Sequence, residues 1–121
     1  MAKSTLRRSR NSAYLRQSCR CFYCDLLLPP PGHELEFAAK LSIGGKIAKL
    51  LQCTAEHLHP KSAGGADVPQ NIAAAHQWCN SRRHARPSPL SPDEFKEHVL
   101  RRVAQGRWWP PHVRSALINK Q

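Results

Sequence analysis

Residues 53–84 read CTAEHLHPKSAGGADVPQNIAAAHQWCNSRRH. Two kinds of chemistry are interleaved in this tract. His76 and Cys79 are soft ligands at two-residue spacing, the spacing used by tetrahedral zinc sites. Glu56, His57, Asn71, Asn80 and His84 supply a carboxylate, two amides and two imidazoles. A set of that kind suits hydrolysis of a phosphodiester, which needs a base for water and positive charge at the phosphorus.

The soft ligands have partners upstream. Cys21-x-x-Cys24 repeats the two-residue spacing, so two knuckles far apart in sequence can pin distant segments around one ion. Cys19 and Cys53 are alternatives to His76 as the fourth ligand, and a set of plain buried thiols is a third arrangement. Five cysteines in a chain with no visible export signal point to reduced thiols rather than disulfides.

The hard-ligand set carries a geometric condition. Neighbouring residues on a strand face opposite ways, so Glu56 and His57 serve one site only where the strand ends or bends. Pro60 is placed to allow that. Asn80 and His84 lie four apart, on one face of a helix, and can close on a cation together with Glu56. Arg82, Arg83 and Arg86 on the same segment can hold phosphate oxygens. An imidazole titrating near pH ~6.5 makes His57 the natural base.

Working outward, residues 53–59 read as a short strand, and Lys61–Pro69 as a loop by its Ser, Gly, Asp and Pro content. Residues 72–75 (Ile-Ala-Ala-Ala) read as helix on propensity, and 77–86 as helix ending before Pro87. Residues 34–51 are ambiguous, with Gly44-Gly45 favouring a hairpin turn between strands. Ser91, Pro92 and Glu94 are the start signals of a helix whose apolar stripe is Phe95, Val99 and Val103, with Gly106 as the stop. Trp108 and Trp109 either stack on bases or cap the core. Three segments follow: a basic arm at 1–20 with six Lys/Arg and no acid, a zinc-stapled domain at 21–86, and a helical extension at 87–121.

At 121 residues the core is thin, and a structural metal would help it. Nineteen Lys+Arg against eight Asp+Glu give a net charge of +11, which favours a polyanionic partner: DNA first, RNA second. No apolar run is long enough to span a bilayer, and no signal peptide is visible, so a cytoplasmic protein with no membrane partner is expected. Oligomeric state is not legible.

Glu56-His57-x-His59-Pro60, Gly64-Gly65, Asn71 and His76-x-x-Cys79-Asn80 resemble the HNH endonucleases, the ββα-metal nucleases, in their zinc-stapled branch. The resemblance covers residues 21–24 and 53–84. It implies an α+β fold: a small ββα-metal unit with a zinc knuckle and flanking helices, in which residues 72–75 form the second strand. The roles it implies are His57 as general base, Glu56 and Asn80 as ligands of one catalytic Mg²⁺, Mn²⁺ or similar ion, and His84 as a further ligand. Asn71 would brace the loop and orient His57. Cys21, Cys24, His76 and Cys79 would hold the structural Zn²⁺, with His76 standing where the family usually has Cys. The implied reaction is hydrolysis of DNA to a 5′-phosphate and a 3′-hydroxyl. Two other functions fit the charge: a non-catalytic zinc-stabilised nucleic-acid-binding module, and a ribosome-associated zinc protein.

Overall fold

The computed structural model describes residues 2–118. Its centre is a two-stranded antiparallel ribbon, β1 (Cys53–His57) and β2 (Ile72–His76). Cys53 pairs with His76 and His57 with Ile72. Around the ribbon lie α1 (Ala2–Arg16), α2 (Glu34–Lys40), α3 (Gly45–Leu50), α4 (Gln77–Arg83), α5 (Pro92–Ala104) and α6 (Pro111–Ile118). The order β1, β2, α4 is the ββα unit of an α+β fold.

Residues 72–76 are a strand although Ala73, Ala74 and Ala75 favour a helix. Helix propensity is worth only tenths of a kcal/mol per residue, and strand pairing with burial outweighs it. Every residue of β2 is buried. Small side chains let elements on both faces of the ribbon approach closely.

The outer edge of β2 is satisfied from outside the sheet. The Gln17 side chain brackets Ala74: its Nε2 donates to the Ala74 carbonyl at 2.9 Å, and its Oε1 accepts from the Ala74 amide at 3.0 Å. The Phe22 amide donates to the same carbonyl, and Arg16 donates to the Ile72 carbonyl. A bare strand edge is thereby closed to further pairing. These contacts dock the C-terminal end of α1 and the residues after it against the ribbon. Ala13 is fully buried against the ribbon, while Arg7 and Arg8 stay exposed.

Residues 34–50 hold two short helices, not the strands that Gly44-Gly45 favoured. Gly44 is extended and caps α3, and Ala38 and Ala48 are buried where α2 meets α3. The start signals of α5 work as a capping box. Ser91 Oγ accepts from the Glu94 amide, and a Glu94 carboxylate oxygen accepts from the Ser91 amide. Gly106, with φ +73°, ends the segment beyond α5. Trp108 and Trp109 are buried in the core with Phe95, Val99, Val113 and Leu117, so they cap it and do not present faces for bases. No helix among the described residues is long and apolar enough to cross a membrane.

Candidate metal centre and active site

The two knuckles meet. One ligand atom from each of Cys21, Cys24, His76 and Cys79 lies within 4.8 Å of the other three, and all four residues are buried. Tetrahedral ligands at zinc–sulfur distances of about 2.3 Å sit roughly 3.8 Å apart, so the spacing fits the ion. Cys24 Sγ is 3.3 Å and Cys79 Sγ 3.9 Å from His76 Nδ1. His76 Nε2 donates to the Leu27 carbonyl at 2.8 Å, so Nδ1 is the nitrogen that faces the sulfurs. Trp108 Nε1 donates to Cys79 Sγ at 3.3 Å. This Cys₃His set could hold a zinc ion.

Cys53 and Cys19 stand outside the cluster. Burial pushes the Cys53 thiol up to about 12, the behaviour of a neutral buried thiol. Within the cluster, burial also raises Cys79, well above its usual value. At Cys21 burial acts the same way, but hydrogen bonds from Cys24 and Cys79 overcome it and favour the thiolate. Burial would lower His76, yet the charges of Cys24 and Cys21 raise it to about 10. Burial raises Cys24 as well, so Cys21 alone leans toward thiolate without an ion, and a bound cation would favour the deprotonated form of all three.

The second constellation divides into two bonded groups. Glu56 points toward α4 and is 2 % exposed. Its Oε2 accepts from the Tyr23 hydroxyl at 2.8 Å and from Arg83 Nη1 at 2.8 Å. Its Oε1 faces His84 Nε2 at 3.1 Å. Burial, and then the Glu56 carboxylate, drive the Tyr23 phenol far up, so it stays a neutral donor.

His57 is the last residue of β1, and its ring meets the loop that follows the strand. Its Nε2 lies 2.7 Å from Asp67 Oδ1. An ionised carboxylate only accepts, so Nε2 carries the proton and Nδ1 is left as the basic nitrogen. The His57 hydrogen bond, with Lys61, holds the Asp67 carboxyl below its ordinary value.

The loop between the strands exists to deliver Asp67. Asn71 ties it closed: Oδ1 accepts from the His59 amide at 2.7 Å, and Nδ2 donates to the carbonyls of His59 and Ala66 at 3.0 Å each. Gly64 takes φ +95°, and a Cβ on Gly65 would sit 1.9 Å from the His59 carbonyl oxygen. The glycine pair is therefore a steric requirement of this loop. From α1, Ser9 Oγ donates to the Asp67 carbonyl at 2.7 Å. His59 is an exposed loop residue whose ring meets only the Ala63 carbonyl.

Helix α4 ends at Arg83, three residues earlier than the sequence reading, and His84 is its C-cap. Asn80 lies beside β1, its Nδ2 donating to Thr54 Oγ1 at 3.2 Å and to the Ala55 carbonyl at 3.4 Å. No described residue takes its Oδ1. Arg83 does not face a ligand; it is buried, bonded to Glu56 and to the Leu90 carbonyl. Arg82 and Arg86 remain exposed. Asp67 and Tyr23 are the partners that sequence reasoning missed, and neither stands at a motif position. Helix phase could have placed Arg83, since it follows the inward-facing Cys79 by one turn.

Breaking the Arg83–Glu56 pair leaves a carboxylate buried without its counter-ion. Arg83→Ala is expected to destabilise the protein by about 3–5 kcal/mol. The shift of the urea unfolding midpoint measures it.

A model of the HNH endonuclease family matches residues 44–86. No curated protein and no solved structure matches the chain.

Proposed function

We propose that the protein is a metal-dependent endonuclease hydrolysing DNA, a reading supported by the match of residues 44–86 to the HNH endonuclease family. The observation that carries this reading is the 3.1 Å approach of His84 Nε2 to Glu56 Oε1. It brings the strand carboxylate and the imidazole that caps α4 within reach of one cation. Oε1 has no other protein partner among the described residues, and neither does the side-chain oxygen of Asn80, whose amide nitrogen bonds to Thr54 and Ala55 of β1. Glu56, His84 and Asn80 would hold the ion, Mg²⁺ or Mn²⁺. Few protein ligands with room for water and phosphate is the habit of Mg²⁺. A bound divalent ion supplies charge to the phosphate and to the departing oxygen.

The chain's own groups do the proton chemistry. Asp67 fixes the imidazole of His57 with Nδ1 as the proton acceptor for water. The half-buried ring, with a side chain 19 % exposed, remains within reach of solvent. Net charge of +11 draws the polyanionic substrate.

Asp67 is a positioning residue in this scheme. Asp67→Ala is expected to lower kcat by about tenfold to a hundredfold at unchanged KM, within the range that loss of base positioning allows. Asp67→Asn keeps an acceptor and recovers part of the rate. A ¹⁵N spectrum of His57 checks the cause, because the Nε2-protonated form gives way to a tautomer mixture only in the alanine variant.

One feature favours a second reading, a zinc-stabilised nucleic-acid-binding module. The Arg83 guanidinium already balances Glu56, and the His57 ring is bonded to Asp67. Plasmid nicking with Mg²⁺, with Mn²⁺ and with chelator separates the two. Chelator-sensitive nicking supports the endonuclease. Protein that shifts DNA but never cuts it with any divalent ion supports the module.

A further inference from the structure

Beyond the end of α4 lies a cleft of about 380 Å³ that no step above uses. Arg82 and Arg86 line it from the α4 side, and His98 and Arg102 from α5. Phe95 and Trp108 form its floor. No carboxylate lines it, and none of its three arginines makes an ion pair among the described residues. Arg82 is braced instead over the Trp78 ring, 5.4 Å from its centroid. His98 is surrounded in the same sense. Burial lowers its pKa, and the charges of Arg102, Arg86 and Arg101 lower it further. It therefore serves as a neutral N–H donor among guanidinium groups.

Such a collection repels itself in the free protein. No carboxylate pairs with these arginines among the described residues, and a polyanion in the cleft would relieve the repulsion. Guanidinium groups present paired donors that match phosphate oxygens. Two of the lining residues, Arg82 and Arg86, flank His84 in sequence.

We propose that the cleft between α4 and α5 is a phosphodiester-binding subsite that holds DNA backbone next to the Glu56–His84 site. This rests on the reading that the chain acts on nucleic acid. Two of its four polar groups, His98 and Arg102, lie outside the family match at 44–86, so the subsite is an addition made by the C-terminal helices.

The test uses the full chain with Arg86→Gln and Arg102→Gln combined, which keeps both aliphatic stems. Lys49→Ala, an exposed charge on α3, is the control. Affinity for a fluorescent duplex is measured by anisotropy across a salt series, with Arg102→Lys as a variant that retains charge. The double variant is expected to bind about tenfold or more weakly and to lose roughly one from the salt slope per phosphate contact removed. Arg102→Lys should recover part of the affinity. A double variant that binds no worse than Lys49→Ala overturns the subsite. So does inorganic phosphate that protects His98 in an NMR titration without competing with duplex, since that marks a site for free anion only. Nicking is followed in parallel. Weakened binding in a protein that never cuts keeps the subsite and removes the endonuclease. Wild-type binding by the double variant in a protein that cuts removes the subsite alone.

Discussion

Alanine at His57 is expected to reduce Mg²⁺-dependent nicking of supercoiled plasmid by roughly 10²–10⁴-fold, the contribution of a positioned general base. DNA affinity should stay as it is, because His57 carries no fixed charge in its neutral form. The fold should tolerate the change. His57 is the last residue of β1, it is partly exposed, and among the described residues its side chain bonds only to Asp67. The loop keeps its shape through Asn71 and the glycine pair, neither of which touches the imidazole. Nicking by His57→Ala at the wild-type rate, measured as first-order loss of supercoiled DNA, would remove the imidazole from the mechanism. Activity would then have to come from the Glu56 face alone.

The second large effect concerns stability. Stripping metal from the Cys21, Cys24, His76 and Cys79 cluster is expected to unfold the protein at ambient temperature. Structural zinc contributes apparent binding energies of about 10–16 kcal/mol, while whole domains are stable by only about 5–15 kcal/mol. The cluster joins the knuckle at residues 21–24 to the β2–α4 junction, and it lies within the core that α5 and α6 cover. Cys79→Ala should behave like the chelated protein. Circular dichroism at 222 nm during titration with a strong chelator, followed by added Zn²⁺, measures both loss and recovery. A melting temperature indifferent to chelator, with no zinc by metal analysis, would make the four residues buried thiols and a buried imidazole.

The fold was legible where residues carry their own geometric demands. Cys-x-x-Cys, His-x-x-Cys, the glycine pair and the Ser91–Glu94 box each specify a local shape, and each takes that shape. It was illegible where neighbours decide. Ala73–Ala75 prefer a helix, and only pairing with β1 and bracketing by Gln17 make them a strand. Gly44-Gly45 matches a hairpin turn equally well on paper, but the flanking residues bury Ala38 and Ala48 between two helices. The site shows the same division. Glu56 and His84 meet because i, i+4 spacing on α4 brings His84 under β1. Asp67 pairs with His57 through the closure of a loop, and no periodicity records that. Arg83 looked equivalent to Arg82 and Arg86 until the inward phase of α4 gave it to Glu56.

The indoles have a practical bearing. The chain has 3 tryptophans, and all crowd the soft-ligand cluster. Trp108 donates to Cys79, Trp109 packs edge-on to His76 at 5.2 Å, and Trp78 lies 4.6 and 4.7 Å from the other two rings. Thiolates quench excited indole, and a coordinated sulfur quenches it differently. Intrinsic emission from this molecule is thus a built-in gauge of how its sulfurs are occupied, readable in a cuvette without any label.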